Sequence, residues 1–283
     1  MIRTATQLKA KVRNLSGSDS NKAQTLIRNF VMERFLERLA LSEYRDHFIL
    51  KGGMLVAAMV GLDTRATMDI DTTVKALNLS REDAVKVIEN IIAVNVPDGV
   101  QFKVTKVADI MEEHDYPGIR LMLEATLDRM QQTIKLDIST GDIITPAAVE
   151  YNYHLMFEER TISLWAYNPE TLLAEKLETI MSRGTANTRM RDFYDIHVIS
   201  LQECFDTVNL RSAFLATCQG RNSIGLISQL KEILHSVEED ETMRKLWENY
   251  REASFFVGDL PWETVMLSVK ELAEKAVEEK SHD

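Results

Sequence analysis

Lys51-Gly52-Gly53, followed downstream by Asp69-Ile70-Asp71, carries the clearest chemical potential of this chain. Two glycines at a tight turn let the backbone approach a phosphate and present N–H groups to it. Side chains alternate along a strand, so an extended Asp69-Ile70-Asp71 puts both carboxylates on one face. A glycine turn for phosphates beside paired carboxylates for a hard cation is what metal-assisted phosphoryl transfer needs. Candidate nucleotide contacts are therefore Lys51, Gly52, Gly53 and Met54, together with Arg65 and Thr67 just before the acids.

Asp137 is the candidate third carboxylate. Thr133 to Ile138 alternates, with Ile134, Leu136 and Ile138 on one face and Lys135 and Asp137 on the other. If that strand lies beside the Asp69 strand, three acids converge; two can hold a metal and the third can complete a second site or act as a base. The alternative is a surface acid paired with Lys135. Lys176 falls within the apolar stripe of Leu172, Leu173, Leu177 and Ile180. A lysine there must snorkel, pair with an acid or bind an anion such as a triphosphate. Asp192 and Asp195 share a helical face in Arg191-Asp192-Phe193-Tyr194-Asp195-Ile196. They are dipole partners of a first turn, or Asp192 orients Lys176 or helps to hold nucleotide or metal. Methionine keeps the apolar stem, so Lys176→Met is expected to cripple transfer at an unchanged or raised melting temperature, whereas a snorkelling lysine would be silent in activity. Arg183, Arg189 and Arg191 near this helix face phosphates or RNA, or simply solvent.

The elements that must position these residues are legible in outline. Ser16-Gly17-Ser18-Asp19-Ser20 is a break and a cap, with Ala23, Leu26, Ile27, Phe30, Val31 and Phe35 following at helical spacing. Phe48 to Leu50 reads as a short strand, Met54 to Val60 as a short buried helix, and Asp69 to Val74 as a strand. Ser80 opens a helix carrying Ala84, Val85, Val87, Ile88, Ile91 and Ile92. Strands are predicted over Gln101 to Val107, Ile119 to Ala125, Thr133 to Ile138 and Thr161 to Ala166, with a turn at Pro117-Gly118. Asn168 can cap and Pro169 suits a first helical position. Helices continue from there, the last starting near Pro261. The predicted class is mixed α+β: a core with a mixed β-sheet flanked by helices over residues 1–167, then a helical C-terminal domain over 168–283 that completes the site.

The chain has 283 residues, and 45% are hydrophobic, enough to bury a core without staples. No apolar run approaches the ~20 residues of a membrane helix, and Met1 to Arg13 lacks a signal-peptide core. The expected compartment is the cytoplasm. Cys204 and Cys218 form no metal pattern. A net charge of −11 argues against a generic nucleic-acid binder. The first 28 residues are nevertheless basic, with Lys9, Lys11, Arg13, Lys22 and Arg28 available to a polyanion or forming a solvated face.

Taken together, Phe48-Ile-Leu-Lys-Gly-Gly-Met-Leu55, Arg65-Ala-Thr-Met-Asp-Ile-Asp71, Lys135-Leu-Asp-Ile138, Leu173-Ala-Glu-Lys176 and Arg191-Asp-Phe-Tyr-Asp-Ile196 resemble the AbiEii/AbiGii nucleotidyltransferase toxins. That group is related to the MenT toxins and is similar to the DNA polymerase beta-like nucleotidyltransferase superfamily. The resemblance implies a nucleotidyltransferase core, an NTP substrate and Mg²⁺ or Mn²⁺. It implies an RNA acceptor, the tRNA 3′ end in related toxins, and a cognate antitoxin that represses transcription. By position, Gly52 and Gly53 cradle phosphates, Asp69 and Asp71 bind metal, and Lys176 and Asp192 match a later lysine and acid of the family pattern. Asp137 matches the third acid of the superfamily. Met54 departs from the Ser or Thr usual after the second glycine, leaving the backbone N–H groups to hold phosphate there. Two other classes stay open: a nucleotide- or RNA-binding regulator with a decayed site, and a metal-dependent phosphohydrolase.

Overall fold

The computed structural model describes residues 1–76, 80–110, 118–202 and 205–278. The predicted turn at Pro117 and the residue Cys204 lie outside them. Chain contacts divide the protein into two compact units. The first comprises Met1–Ala58, Ala66–Asp142 and Val149–Ala166; the second comprises Met59–Arg65, Ile143–Ala148 and Tyr167–Asp283. The grouping is not contiguous because local bonds tie the short segments to later ones. Tyr194 Oη donates to Thr64 O at 2.6 Å, and Asn168 Nδ2 donates to Thr145 O at 2.9 Å and Ala147 O at 2.8 Å.

The first unit is built on a mixed seven-stranded sheet of order β3-β4-β5-β2-β1-β7-β6. The strands are β1 (Phe48–Lys51), β2 (Asp69–Val74), β3 (Gln101–Ile110), β4 (Gly118–Leu127), β5 (Met130–Thr140), β6 (Val149–His154) and β7 (Thr161–Ala166). Strand β2 runs antiparallel to β1 and parallel to β5. Alternation holds where one face is buried: β4 buries Ile119, Leu121, Leu123, Ala125 and Leu127, and β5 buries Ile134, Leu136 and Ile138. Strand β6 was not anticipated. Only Tyr153 of its residues is buried, so the edge strand carries no apolar period to read.

Helices α1 (Ala5–Ser16), α2 (Ser20–Leu41), α3 (Gly52–Val60) and α4 (Arg81–Ile92) accompany the sheet. The caps are those expected: Asp19 accepts from Asn21 and Lys22 N–H, and Ser80 accepts from Asp83 N–H. Helix α2 buries more than its apolar stripe, because Glu33, Arg34, Glu37 and Arg38 are all buried as well. They are held in pairs: Arg38 grips Asp98 at 2.7 and 2.9 Å, and Arg34 reaches Glu37 at 2.9 Å and Glu158 at 3.3 Å. Buried charges persist only when compensated in this way. Burial pushes the Glu33 carboxyl up to about 8 against the pull of Arg34, and it accepts from Met156 N–H at 2.9 Å.

The second unit is helical, with α5 (Pro169–Arg183), α6 (Met190–Ser200), α7 (Thr207–Gly220), α8 (Leu230–Glu239), α9 (Glu241–Ala253) and α10 (Trp262–Val277). Asn168 caps α5 by accepting from Thr171 N–H, with Pro169 at the start. An aromatic cluster of Phe193, Tyr194, Trp247, Tyr250, Phe256 and Trp262 packs within it, with ring centroids 5.2 to 6.3 Å apart. Among the described residues, no helix is long and apolar enough to cross a membrane.

Candidate active site

Strand register assembles the acids of the first unit. Asp71 of β2 pairs with Lys51 on one side and with Asp137 of β5 on the other. Asp69 pairs with Lys135, and Asp137 pairs with Arg120 of β4. Directly paired residues project to the same face, and i, i+2 residues share it. Asp69, Asp71, Asp137, Lys135 and Arg120 therefore belong to one face of three neighbouring strands. One oxygen each of Asp69, Asp71 and Asp137 lies within 4.8 Å of the others. Asp69 is buried; Asp71 and Asp137 are partly exposed.

The neighbours fix these carboxylates. Thr67 Oγ1 donates to Asp69 Oδ1 at 3.2 Å, so Thr67 orients an acid. Arg120 holds Asp137 through two hydrogen bonds of 2.7 Å each. Lys135 Nζ pairs with Asp69 Oδ2 and lies 3.8 Å from Asp137 Oδ2. Gly52, at the start of α3, has φ +64 and is packed so closely on Asp71 that a built Cβ would lie 2.1 Å from Oδ2. The positive φ and the close approach both require glycine. Gly52→Ala is expected to displace the Asp71 carboxylate. A displacement of ~1 Å at a reacting centre costs on the order of 100-fold in rate. Steady-state transfer kinetics check this, and an alanine variant within about threefold of the wild type (~0.7 kcal/mol) would show the contact to be unimportant.

Met54 is fully buried in α3, so only its backbone is available to a ligand. Lys51 Nζ donates to Asp142 Oδ2 at 2.6 Å. Burial opposes ionisation of Asp142, yet Lys51 and Ser139 hold its carboxyl below the ordinary range. Lys51 thereby fastens the end of β1 to Asp142, two residues past β5.

The donor chemistry fits a hard divalent cation such as Mg²⁺ or Mn²⁺. All three groups are carboxylates. Gly52 leaves Asp71 the room a side chain would fill. A second cluster, His235, Glu238 and Glu239, lies on an open turn of α8, where Lys270 already bonds Glu238 at 2.8 and 2.9 Å.

Lys176, Asp192 and Arg65 come together in the second unit. Lys176 Nζ donates to Asp192 Oδ1 at 3.2 Å and to Asp195 Oδ2 at 2.6 Å. Arg65 Nε donates to Asp195 Oδ1 at 2.5 Å, and Arg189 Nε pairs with Asp192 Oδ2 at 2.7 Å. Lys176 does not snorkel; it is buried with both acids. Burial opposes ionisation of Asp192, but Lys176, Arg189 and Arg191 outweigh it and hold its carboxyl down to about 2. Asp195 is held low in the same way by Arg65 and Lys176. Arg191 is exposed and Arg183 is half-buried.

Sequence reasoning did not single out Asp195, Arg120 or Asp142 for the site. Asp195 carries a signal in its i, i+3 spacing from Asp192. Arg120 and Asp142 carry none, because strand register and loop path bring them in.

A family model described as "Nucleotidyl transferase AbiEii toxin, Type IV TA system" matches residues 34–273. Comparison with curated proteins gives no match. Among solved structures, two Helicobacter pylori chains are similar at 17% and 16% identity. Each alignment covers 89% of this chain, with 96% and 93% of theirs, and both have a TM-score of 0.48. An antigenic nucleotidyltransferase-like protein from Paracoccidioides brasiliensis is 14% identical over 72% of this chain and 92% of its own, with a TM-score of 0.42.

Proposed function

Because the chain belongs to the AbiEii family of nucleotidyltransferase toxins, we propose that it moves nucleotides from an NTP to the 3′ end of tRNA, using Mg²⁺ or Mn²⁺ held by Asp69, Asp71 and Asp137. The enzyme is a nucleotidyltransferase of a toxin–antitoxin system. The observation that supports the site is the convergence of three carboxylate oxygens within 4.8 Å beside the glycine start of α3.

A bound divalent cation supplies neutralisation of phosphate charge and lowers the pKa of a hydroxyl beside it. The N–H groups of Gly53 and Met54, at the open end of α3, donate to phosphate oxygens. Asp137 takes the proton of the acceptor 3′-hydroxyl. The hydroxyl oxygen forms a bond to the α-phosphorus, the α–β phosphoanhydride bond breaks and pyrophosphate leaves. Lys176 has three N–H donors and uses two on Asp192 and Asp195; the third is assigned to a triphosphate oxygen, with Asp192 fixing the ammonium. Lys9, Lys11 and Arg13 are exposed on α1 and suit RNA phosphates. Action on tRNA makes the cytoplasm the site of action, and the antitoxin partner is assigned as a transcriptional regulator.

The acceptor is tested by periodate. Oxidation of the tRNA 3′ vicinal diol removes the attacking hydroxyl. Label from an α-labelled NTP is expected to enter intact tRNA and not oxidised tRNA. Equal labelling of both would place the addition elsewhere on the RNA.

A further inference from the structure

Lys135 carries a role beyond the surface ion pair that its position two residues before Asp137 suggests. Its ammonium pairs with Asp69 and lies 3.8 Å from Asp137, so it bridges two of the three converging carboxylates. The two strands fix this placement, since Lys135 is opposite Asp69 in the β2–β5 ladder and shares a face with Asp137. A divalent cation held by Asp69 and Asp137 would draw on the same two carboxylates and stand next to a positive charge. Of Lys135 and Arg120, the lysine is a compact charge on a flexible four-carbon stem, whereas the Arg120 fork is fixed on both oxygens of Asp137. Lys135 is the one that can leave.

We propose that Lys135 is a tethered internal cation that competes with the divalent ion for Asp69 and Asp137. It keeps mutually repelling carboxylates assembled in the metal-free enzyme and weakens metal binding until the nucleotide contributes its own phosphate oxygens. Lys135 is thus a positioning residue of the cation site. This inference rests on the reading of Asp69, Asp71 and Asp137 as metal ligands.

The test is Mn²⁺ binding to the full-length protein without nucleotide, followed by the paramagnetic resonance of free Mn²⁺, together with melting in chelator. Wild type is expected to bind Mn²⁺ at a site lost in Asp71→Ala. Lys135→Met is expected to bind Mn²⁺ about tenfold tighter or more, tenfold being ~1.4 kcal/mol of relieved competition. The same variant should melt below wild type in chelator and recover the difference at saturating Mn²⁺. A purely structural lysine would lower the melting point without tightening metal binding. Lys135→Arg keeps the charge and should stay close to wild type. Lys135→Gln gives the same readout if the methionine variant does not fold. Wild-type or weaker affinity in the neutral variants, with binding still dependent on Asp71, overturns the role of Lys135 and leaves the metal ligands standing. Mn²⁺ binding indifferent to Asp71→Ala overturns both.

Discussion

Asp69→Ala and Asp71→Ala are each expected to abolish nucleotide transfer and toxicity while the protein still folds. The strand register places Asp71 directly beside Asp137, and the oxygens of all three acids converge. Removing one deletes a ligand and leaves triphosphate charge uncompensated, a loss of several kcal/mol in the transition state. Neither acid closes an apolar core: Asp71 is partly exposed, and Asp69 answers Lys135, which has Asp137 in reach. The melting temperature should therefore stay within roughly 5 °C of wild type. Transfer rates and thermal melts on the same preparations decide this. A variant that keeps more than about a tenth of the wild-type rate, only ~1.4 kcal/mol, would remove that acid from the metal site.

Lys176→Met is expected to unfold more easily as well as to transfer poorly. The apolar stripe alone leads to the expectation of an unchanged or raised melting temperature, because methionine suits the stripe better than an ammonium does. The structure instead places Lys176 between Asp192 and Asp195, both buried. Breaking a buried pair from one side leaves charge uncompensated and costs about 3–5 kcal/mol, on the order of 10 °C in melting temperature. The pH dependence follows from Asp192. Its folded carboxyl is held at about 2, below the ordinary ~3.9 of an unfolded aspartate. The stability it contributes is present above about pH 4 and is lost as pH falls towards 2. Wild type and Lys176→Met should thus differ most near neutrality and converge in acid. A difference that persists undiminished at pH 2 would mean that packing, not charge, holds Lys176 in place.

The path of β2, the capped starts of α4 and α5 and the alternation of β4 and β5 were legible because local chemistry decides them. Asp69–Val74, Ser80 and Asn168-Pro169 carry their own periods and caps. Lys135 and Asp137 were visibly on one face, yet which carboxylate the lysine meets depends on the β2–β5 register, which no local pattern encodes. The same holds for Arg120, brought to Asp137 by the pairing of β4 with β5. Gly52 read as a phosphate turn; its contact with Asp71 follows from the antiparallel β1–β2 pairing. Nothing local marks Arg34 and Arg38 as buried, because their partners Glu158 and Asp98 are far away in sequence. For Lys176, the stripe of Leu172, Leu173, Leu177 and Ile180 showed only that it had to snorkel, pair with an acid or bind an anion. The identity of the compensating groups lay one helix further on.

Parallel reactions with the same NTP labelled at the α- or the γ-phosphate test the central claim most directly, because they report which bond is broken and where the nucleotide goes. With tRNA and Mg²⁺ or Mn²⁺, the α-label should enter the RNA while the γ-label appears in pyrophosphate in equal amount, and both signals should vanish in Asp71→Ala. Release of the γ-label as inorganic phosphate, with the α-label remaining in solution, would contradict nucleotidyl transfer and identify the acid cluster as the site of a phosphohydrolase.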